Sequence, residues 1–188
     1  MTIHVFAGPS LTREDRFHLR YVRWHPPAEA GDMLRLATAP GDAVCLLDGA
    51  FDQRPAVRHK ELLWLLSRGV RLLGASSIGA LRAAEMHGVG MTGVGAIYRA
   101  FADDRLQADD EVALVHASAE RWWQPLSLPL VDCRAALHMG IRQRWLEPEE
   151  ARALIASARH IHFAERDWEG VLEIAGTGTH RRDALLPM

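Results

Sequence analysis

Leu62–Glu85 reads LLWLLSRGVRLLGASSIGALRAAE and predicts a helix, a strand and a second helix in direct succession. The leucines at its start fill one face of the first helix, and Gly69 stands where a helix commonly ends in a left-handed residue. Val70–Ala75 is a short apolar run typical of a buried strand, and Ile78–His87 has helical spacing. This succession indicates an α/β fold with a parallel sheet.

The same alternation continues on both sides of this stretch. Besides Val70–Ala75, strands are predicted at Ile3–Ala7, Tyr21–Trp24, Ala43–Asp48 and Val112–His116. Further helices are predicted at Thr12–Leu19, Gly31–Thr38, Ala56–Ser67 and Ala96–Ala102. We therefore expect a mostly parallel sheet of roughly five strands with crossover helices.

The strand signals end after Pro125. Three helical stretches remain, at Leu130–Trp145, Pro148–His162 and Asp167–Ile174. We predict an α/β core at residues 1–125, a helical extension packed on it as a cap at 126–175, and a flexible tail at 176–188. At 188 residues, a single domain with one core is the expectation.

Composition restricts the classes of partner. The net charge is -2 and the pI is near 6.5, with arginines scattered through helical stretches, which does not favour nucleic acid. The first predicted strand begins almost at Met1 and no apolar stretch approaches 18 residues, so we expect a cytoplasmic protein that does not bind a membrane. Cys45 lies in an apolar run and Cys133 has no second cysteine nearby, which indicates neither a disulfide framework nor a metal site.

Polar and small residues follow the predicted strands, where the loops of a parallel sheet meet at one edge. They are Gly8 and Ser10 after the first strand, Asp48 and Gly49 after the third, Ser76 and Ser77 after the fourth, and His116 at the end of the fifth. Ligands of open parallel sheets bind at this edge, so these residues are the candidate site.

The two serines lie between a strand and a helix. Ala75-Ser76-Ser77-Ile78-Gly79 has small residues two before and two after Ser77, as the tight turn of a nucleophile elbow requires. Ser77 is therefore the preferred nucleophile and Ser76 the second choice. Alternatively, either serine only caps the helix.

A base and its supporting charges are also present. His59 could deprotonate the serine, Lys60 could supply a positive charge, and Asp48 could orient His59 or His116 as the third member of a triad does. The alternatives are a solvated helical turn for His59 and Lys60 and an ordinary turn aspartate for Asp48. Arg82 and Glu85 share a helix face, where they can pair with each other or bind a charged ligand group.

Neither a metal nor a cofactor is expected. The carboxylates of Asp109–Glu111 are better explained as a solvated strand entrance than as metal ligands. The glycine-rich segment Gly88–Gly95 lacks the lysine and serine of a phosphate-binding P-loop.

Five segments resemble the TfuA-like family, in order and at plausible spacing. They are Val5–Leu11, Asp48–Gly49 with His59–Glu61, Gly74–Glu85, Gly90–Tyr98 and Asp109–Ala113. The resemblance covers about residues 3 to 120, whereas the helical remainder after about Pro125 resembles nothing on which a prediction could rest.

The resemblance implies a companion of a YcaO-type enzyme, which uses ATP to activate a backbone amide oxygen so that sulfur can replace it. The chain would release sulfide from the C-terminal thiocarboxylate of a small ThiS-like sulfur-carrier protein, and a precursor peptide is a further candidate partner. Such acyl transfer suits an elbow serine. The alternatives are a non-catalytic adaptor that organises the YcaO complex, and a standalone esterase or amidase.

Overall fold

The computed structural model describes residues 1–51 and 54–176, and the strands among them form a parallel sheet of five. These strands are β1 (Ile3–Phe6), β2 (Val22–His25), β3 (Ala43–Leu46), β4 (Arg71–Gly74) and β5 (Thr92–Gly93). Their order is β2-β1-β3-β4-β5, and every neighbouring pair is parallel. The α/β class with a parallel sheet is confirmed.

Helices connect the strands at the positions that the sequence indicated. They are α1 (Arg13–His18), α2 (Asp32–Arg35), α3 (His59–Ser67), α4 (Ile78–Met86) and α5 (Gly95–Ala102). Leu62 and Leu65 of α3 are fully buried against the sheet core. Gly69 ends this segment with a φ of +75°, as the helix–glycine–strand pattern predicted.

The predicted strand at Val112–His116 was wrong. β5 occupies the sheet position next to β4, and Val94 N–H donates to Gly74 O at 2.9 Å as the chain leaves β5. Val112 is buried as its apolar character indicated, but the backbone of His116 forms an isolated antiparallel bridge with Pro125 instead of joining the sheet. Burial alone does not make a strand, because the backbone must also find a neighbouring strand to pair with.

The chain divides into two compact units. The first consists of Met1–Asp109 and Ala117–Gln124 and contains the sheet. The second consists of Asp110–His116 and the chain from Pro125 onward. The predicted tail at 176–188 lies, from residue 177 on, outside the described residues.

The second unit has its own helical core. It contains α6 (Leu130–Arg142), α7 (Pro148–His160) and α8 (Trp168–Ile174), whose buried faces share one apolar cluster. Arg166 is fully buried and donates hydrogen bonds to the carbonyl oxygens of Leu128, Ala158 and Ile161. These bonds compensate the cost of burying its guanidinium. Within the described residues, no helix has the length and apolar character needed to cross a membrane.

Candidate functional site

The strand order predicts a ligand-binding crevice between β1 and β3. The chain proceeds from β1 outward to β2 and then crosses back to β3, so the order of the sheet reverses between these two neighbouring strands. In open parallel sheets, ligands bind beyond the carboxyl ends of the strands at such a reversal. The loop after β1 contains Gly8 and Ser10, and the loop after β3 contains Asp48 and Gly49.

Asp48 joins these two loops. Its carboxylate is buried, and Oδ2 accepts the backbone N–H groups of Gly8 at 2.7 Å and Ser10 at 2.9 Å. Oδ1 accepts the Ser10 hydroxyl at 2.5 Å. Hydrogen bonds from N–H and O–H donors are what a buried carboxylate requires, so Asp48 holds the loop after β1 in a defined position.

Ser76 extends this arrangement. Its Oγ lies 2.5 Å from Ser10 Oγ. Because the ionised Asp48 can only accept, the Ser10 proton is directed to Asp48, and Ser76 must then donate its own proton to Ser10. The result is a continuous chain of hydrogen bonds from Ser76 through Ser10 to Asp48.

The backbone at the turn between β4 and α4 distinguishes the two serines. Ser76 has a φ of +63°, in the left-handed region, where residues with a side chain are uncommon and are often found at sites of function. Ser77 follows as the N-cap of α4, and its side chain makes no capping hydrogen bond. The left-handed geometry of a strand–nucleophile–helix turn therefore occurs at Ser76, whereas the small-residue pattern pointed to Ser77.

The small residues around the turn have a packing reason. A Cβ at Gly79 would overlap Leu46 O, and a Cβ at Gly74 would overlap Gly79 O. Gly79 N–H also donates to Leu47 O at 3.1 Å. The start of α4 thus packs directly on the end of β3, which brings Ser76 and Asp48 into the same region.

Gly49 also allows a close approach. A Cβ there would lie 2.8 Å from Ala28 O and 2.9 Å from Ile78 Cγ2. Any larger residue would push the turn that carries Asp48 away from α4.

The sequence did not reveal the part that Arg16 plays. Its Nη2 donates to Ala7 O and Gly8 O, both at 3.0 Å, and its guanidinium lies over the rings of Trp24 and Trp123 at 5.5 and 4.9 Å. Burial lowers the pKa of Arg16, and the negative charge of Asp48 opposes this shift. Arg16 thus binds carbonyl oxygens of the loop after β1, and Asp48 binds N–H groups of the same loop. No local signal could have shown this, because the two tryptophans are far apart in the chain.

The structure places His59, Arg82 and Glu85 in a second group. His59 Nε2 lies 2.8 Å from Glu85 Oε2, which also accepts from Arg82 Nη1 at 2.6 Å. Lys60 is exposed in the first turn of α3. Between described residues, no hydrogen bond joins Asp48 to His59, so the contact expected from the sequence is replaced by the pair with Glu85.

His116 belongs to the second unit, and the predicted strand whose end was the basis of its role is not among the observed strands. The expectation that it completes the sheet edge therefore loses its structural support.

The two thiols are poorly suited to act as nucleophiles. Burial raises the pKa of Cys45 in β3, and burial is also the main cause that raises the pKa of Cys133 to about 11. Raised pKa values keep both groups protonated at neutral pH, and the thiolate is the reactive form. Within residues 1–51 and 54–176, no three His, Cys, Asp or Glu side chains are arranged to hold a metal ion.

Comparison with known protein families identifies a match. The family model of TfuA-like proteins matches residues 48–167, more than half of the chain. The match begins and ends later than the resemblance read from the motifs: it includes Asp48, both serines and most of the helical extension, but not Gly8 or Ser10. No curated protein matches the chain.

Proposed function

We propose that this chain, which belongs to the TfuA-like family, releases sulfide from a thiocarboxylated carrier protein. Membership in this family supports an accessory role in YcaO-type thioamidation. Ser76 is the nucleophile of this proposal. The observation that carries it is the hydrogen-bonded chain from Ser76 through Ser10 to Asp48, with Ser76 in a left-handed turn between strand and helix.

The first step is an acyl transfer. Ser76 Oγ forms a bond to the thiocarboxylate carbon, and the C–S bond then breaks. The serine proton moves to Ser10 while the Ser10 proton moves to Asp48, and this proton finally leaves on the sulfur as hydrosulfide. The products are an ester between the carrier and Ser76 and one HS⁻, so charge and atoms balance.

The second step is hydrolysis of that ester. A water oxygen bonds to the ester carbon, the bond to Ser76 Oγ breaks, and the serine regains a proton. The carrier leaves as a carboxylate, with one proton released. In both steps the negative charge that develops on the carbonyl oxygen lies near the start of α4, where the Ile78 N–H has no intrahelical acceptor.

The other candidate residues have supporting roles in this proposal. Gly8 and Gly49 permit the close loops, and Arg16 fixes the loop that carries Ser10. His59, Lys60, Arg82 and Glu85 lie on α3 and α4, where they would meet the carrier or the YcaO-type enzyme. The raised pKa values of Cys45 and Cys133 support a hydroxyl rather than a persulfide route.

The test is sulfide release from a thiocarboxylated ThiS-like carrier. We expect Ser76→Ala to lose at least about a thousandfold in rate, because it removes the nucleophile. Ser67→Ala, which alters an exposed serine at the end of α3, serves as the matched control and should keep the wild-type rate. Mass spectrometry of quenched reactions should find the acyl group on Ser76.

Ser77→Ala decides between the two serines. Full activity of Ser76→Ala together with loss of activity in Ser77→Ala would move the nucleophile to Ser77, the choice that the small-residue pattern favoured.

One observation favours a second candidate, a non-catalytic adaptor. The Asp48 carboxylate accepts hydrogen bonds from Gly8 and Ser10 in the loop after β1, as a structural carboxylate does, and no described histidine is hydrogen-bonded to Ser76. An adaptor would bind the YcaO-type enzyme and raise its thioamidation rate equally well with Ser76→Ala, and it would release no sulfide alone.

A further inference from the structure

A cavity of about 660 Å³ lies beside α4 in the first unit. Its volume is in the range of ordinary ligand-binding pockets. Residues from three segments line it, among them Phe51, Pro55, Ile78, Leu81, Arg82 and Ala108.

The wall formed by residues 54–56 is held by long-range contacts of this segment and of Val57, which follows it. Arg54 pairs with Glu29 at 2.5 Å, and Ala30 N–H donates to Pro55 O at 2.9 Å. Arg82 Nε donates to Val57 O at 3.1 Å, which ties the same segment to α4. These contacts fix this wall of the cavity relative to α4.

The cavity reaches the candidate site through Ile78. This residue follows Ser76 and Ser77 directly, and its Cγ2 would lie 2.9 Å from a Cβ at Gly49. Ile78 thus lies between one wall of the cavity and the turn that carries Asp48, and the two serines directly precede it in the chain.

The lining favours an uncharged chain with carbonyl groups. Ile78 and Leu81 contribute apolar atoms to a mostly polar lining, in which the formal charges of Arg54 and Arg82 are balanced by those of Glu85 and Asp109. Arg82 uses Nε for Val57 O and Nη1 for Glu85, whereas its Nη2 has no hydrogen bond to a described residue. A carbonyl oxygen is the acceptor that such a donor fits.

We propose that this cavity binds the C-terminal tail of the carrier, through the small uncharged residues that precede its thiocarboxylate. This inference rests on the proposed function. Ser76 is only partly exposed at a tight turn, so its target must arrive on an extended segment and not on the face of a folded domain. The residues before the reacting carbon must then occupy space next to the turn, and the cavity supplies it.

The experiment measures binding without chemistry. The probe is a ThiS-like carrier in its carboxylate form, titrated by calorimetry into the intact chain. Ala108→Trp fills the cavity from an exposed position that should not disturb folding, and Ala102→Trp adds the same side chain at the exposed end of α5 as the matched control. We expect Ala108→Trp to raise Kd by about tenfold or more, and Ala102→Trp to leave it unchanged.

Steady-state kinetics of Arg82→Gln provide a second measurement. It should raise the KM for thiocarboxylated carrier more than it lowers kcat, because the donor contacts a part of the tail that does not react.

The possible outcomes separate this inference from the proposed function. Carrier binding that depends on Ala108 but without sulfide release would support the tail site and overturn the hydrolase. Sulfide release with equal Kd values for Ala108→Trp and wild type would overturn the tail site and leave the hydrolase standing. Absence of carrier binding to the wild type would overturn the tail site.

Discussion

At the scale of single residues, the backbone of Ser76 determines where its hydroxyl lies. A φ of +63° costs a residue with a side chain about 1–3 kcal/mol unless neighbouring contacts compensate. Here the compensation comes from the Ser10 hydroxyl at 2.5 Å and from the close packing of Gly74 and Gly79. The loop that carries Ser10 therefore stabilises both the strained backbone of Ser76 and the buried carboxylate of Asp48.

A second pair of residues makes stability dependent on pH. His4 Nδ1 lies 3.0 Å from His25 Nε2, and His4 is buried. Burial lowers the pKa of both histidines, and the positive charge of Arg23 lowers both further. The negative charge of Asp42 opposes this shift at His4, and that of Asp32 opposes it at His25. The two rings share one hydrogen bond, which requires at least one of them to be neutral.

The free energy of unfolding should therefore fall as the pH drops below about 6.5, the ordinary pKa of histidine. In that range the unfolded chain takes up protons that the folded pair does not, so the contribution is complete above this pH and lost below it. Urea unfolding at a series of pH values measures the effect. His4→Leu should flatten the slope, and the exposed-site control His18→Gln should not; an unchanged slope in His4→Leu would contradict the assignment.

At the scale of elements, the packing of α4 on β3 determines the site. The first turn of α4 approaches the end of β3 so closely that only a hydrogen atom fits at Gly79. This contact fixes the start of α4, and with it Ser76, relative to the loop after β3 that carries Asp48.

We expect Gly79→Ala to destabilise the fold by about 3 kcal/mol or more, because its methyl group would overlap Leu46 O and α4 would have to move. Gly88→Ala is the matched control, since no atom lies within 4 Å of its Cβ position; it should be neutral or stabilise by up to about 1 kcal/mol. The midpoints of urea unfolding compare the two. Similar midpoints would show that α4 is free to shift.

At the scale of the whole molecule, the chain has two units with separate apolar cores and one cysteine in each. Cys45 lies in β3 of the first unit and Cys133 in α6 of the second. Burial raises both pKa values, so neither unit provides a reactive thiol at neutral pH.

Alkylation by iodoacetamide at pH 8 should accordingly be at least about tenfold slower than for free cysteine, because the thiolate reacts and the thiol does not. The same reagent with the unfolded chain controls for intrinsic reactivity. A Cys45→Ala/Cys133→Ala double variant that still folds should retain sulfide release. Loss of release in that variant would indicate that a thiol takes part in the release.

Local patterns were enough for the class of fold. Apolar runs and helical spacing depend only on neighbouring residues, so four strands, the connecting helices and the role of Gly69 were predicted close to their observed positions. The fifth strand was not, because Thr92–Gly93 is too short to show a period of two. Its place in the sheet depends on pairing with β4, which a linear pattern does not contain.

By itself, the sequence determined the α/β class and the strand–serine–helix turn, because both follow from residues that are close together in the chain. It also determined the membership in the TfuA-like family, because the family motifs follow one another in order along the chain. Only the tertiary structure decided that Ser76 bonds to Ser10 and Ser10 to Asp48, that His59 pairs with Glu85, and that Arg16 lies over Trp24 and Trp123. These contacts join residues far apart in the chain. Their partners are set by strand order and by the distance at which α4 packs on β3, and neither can be read from spacing.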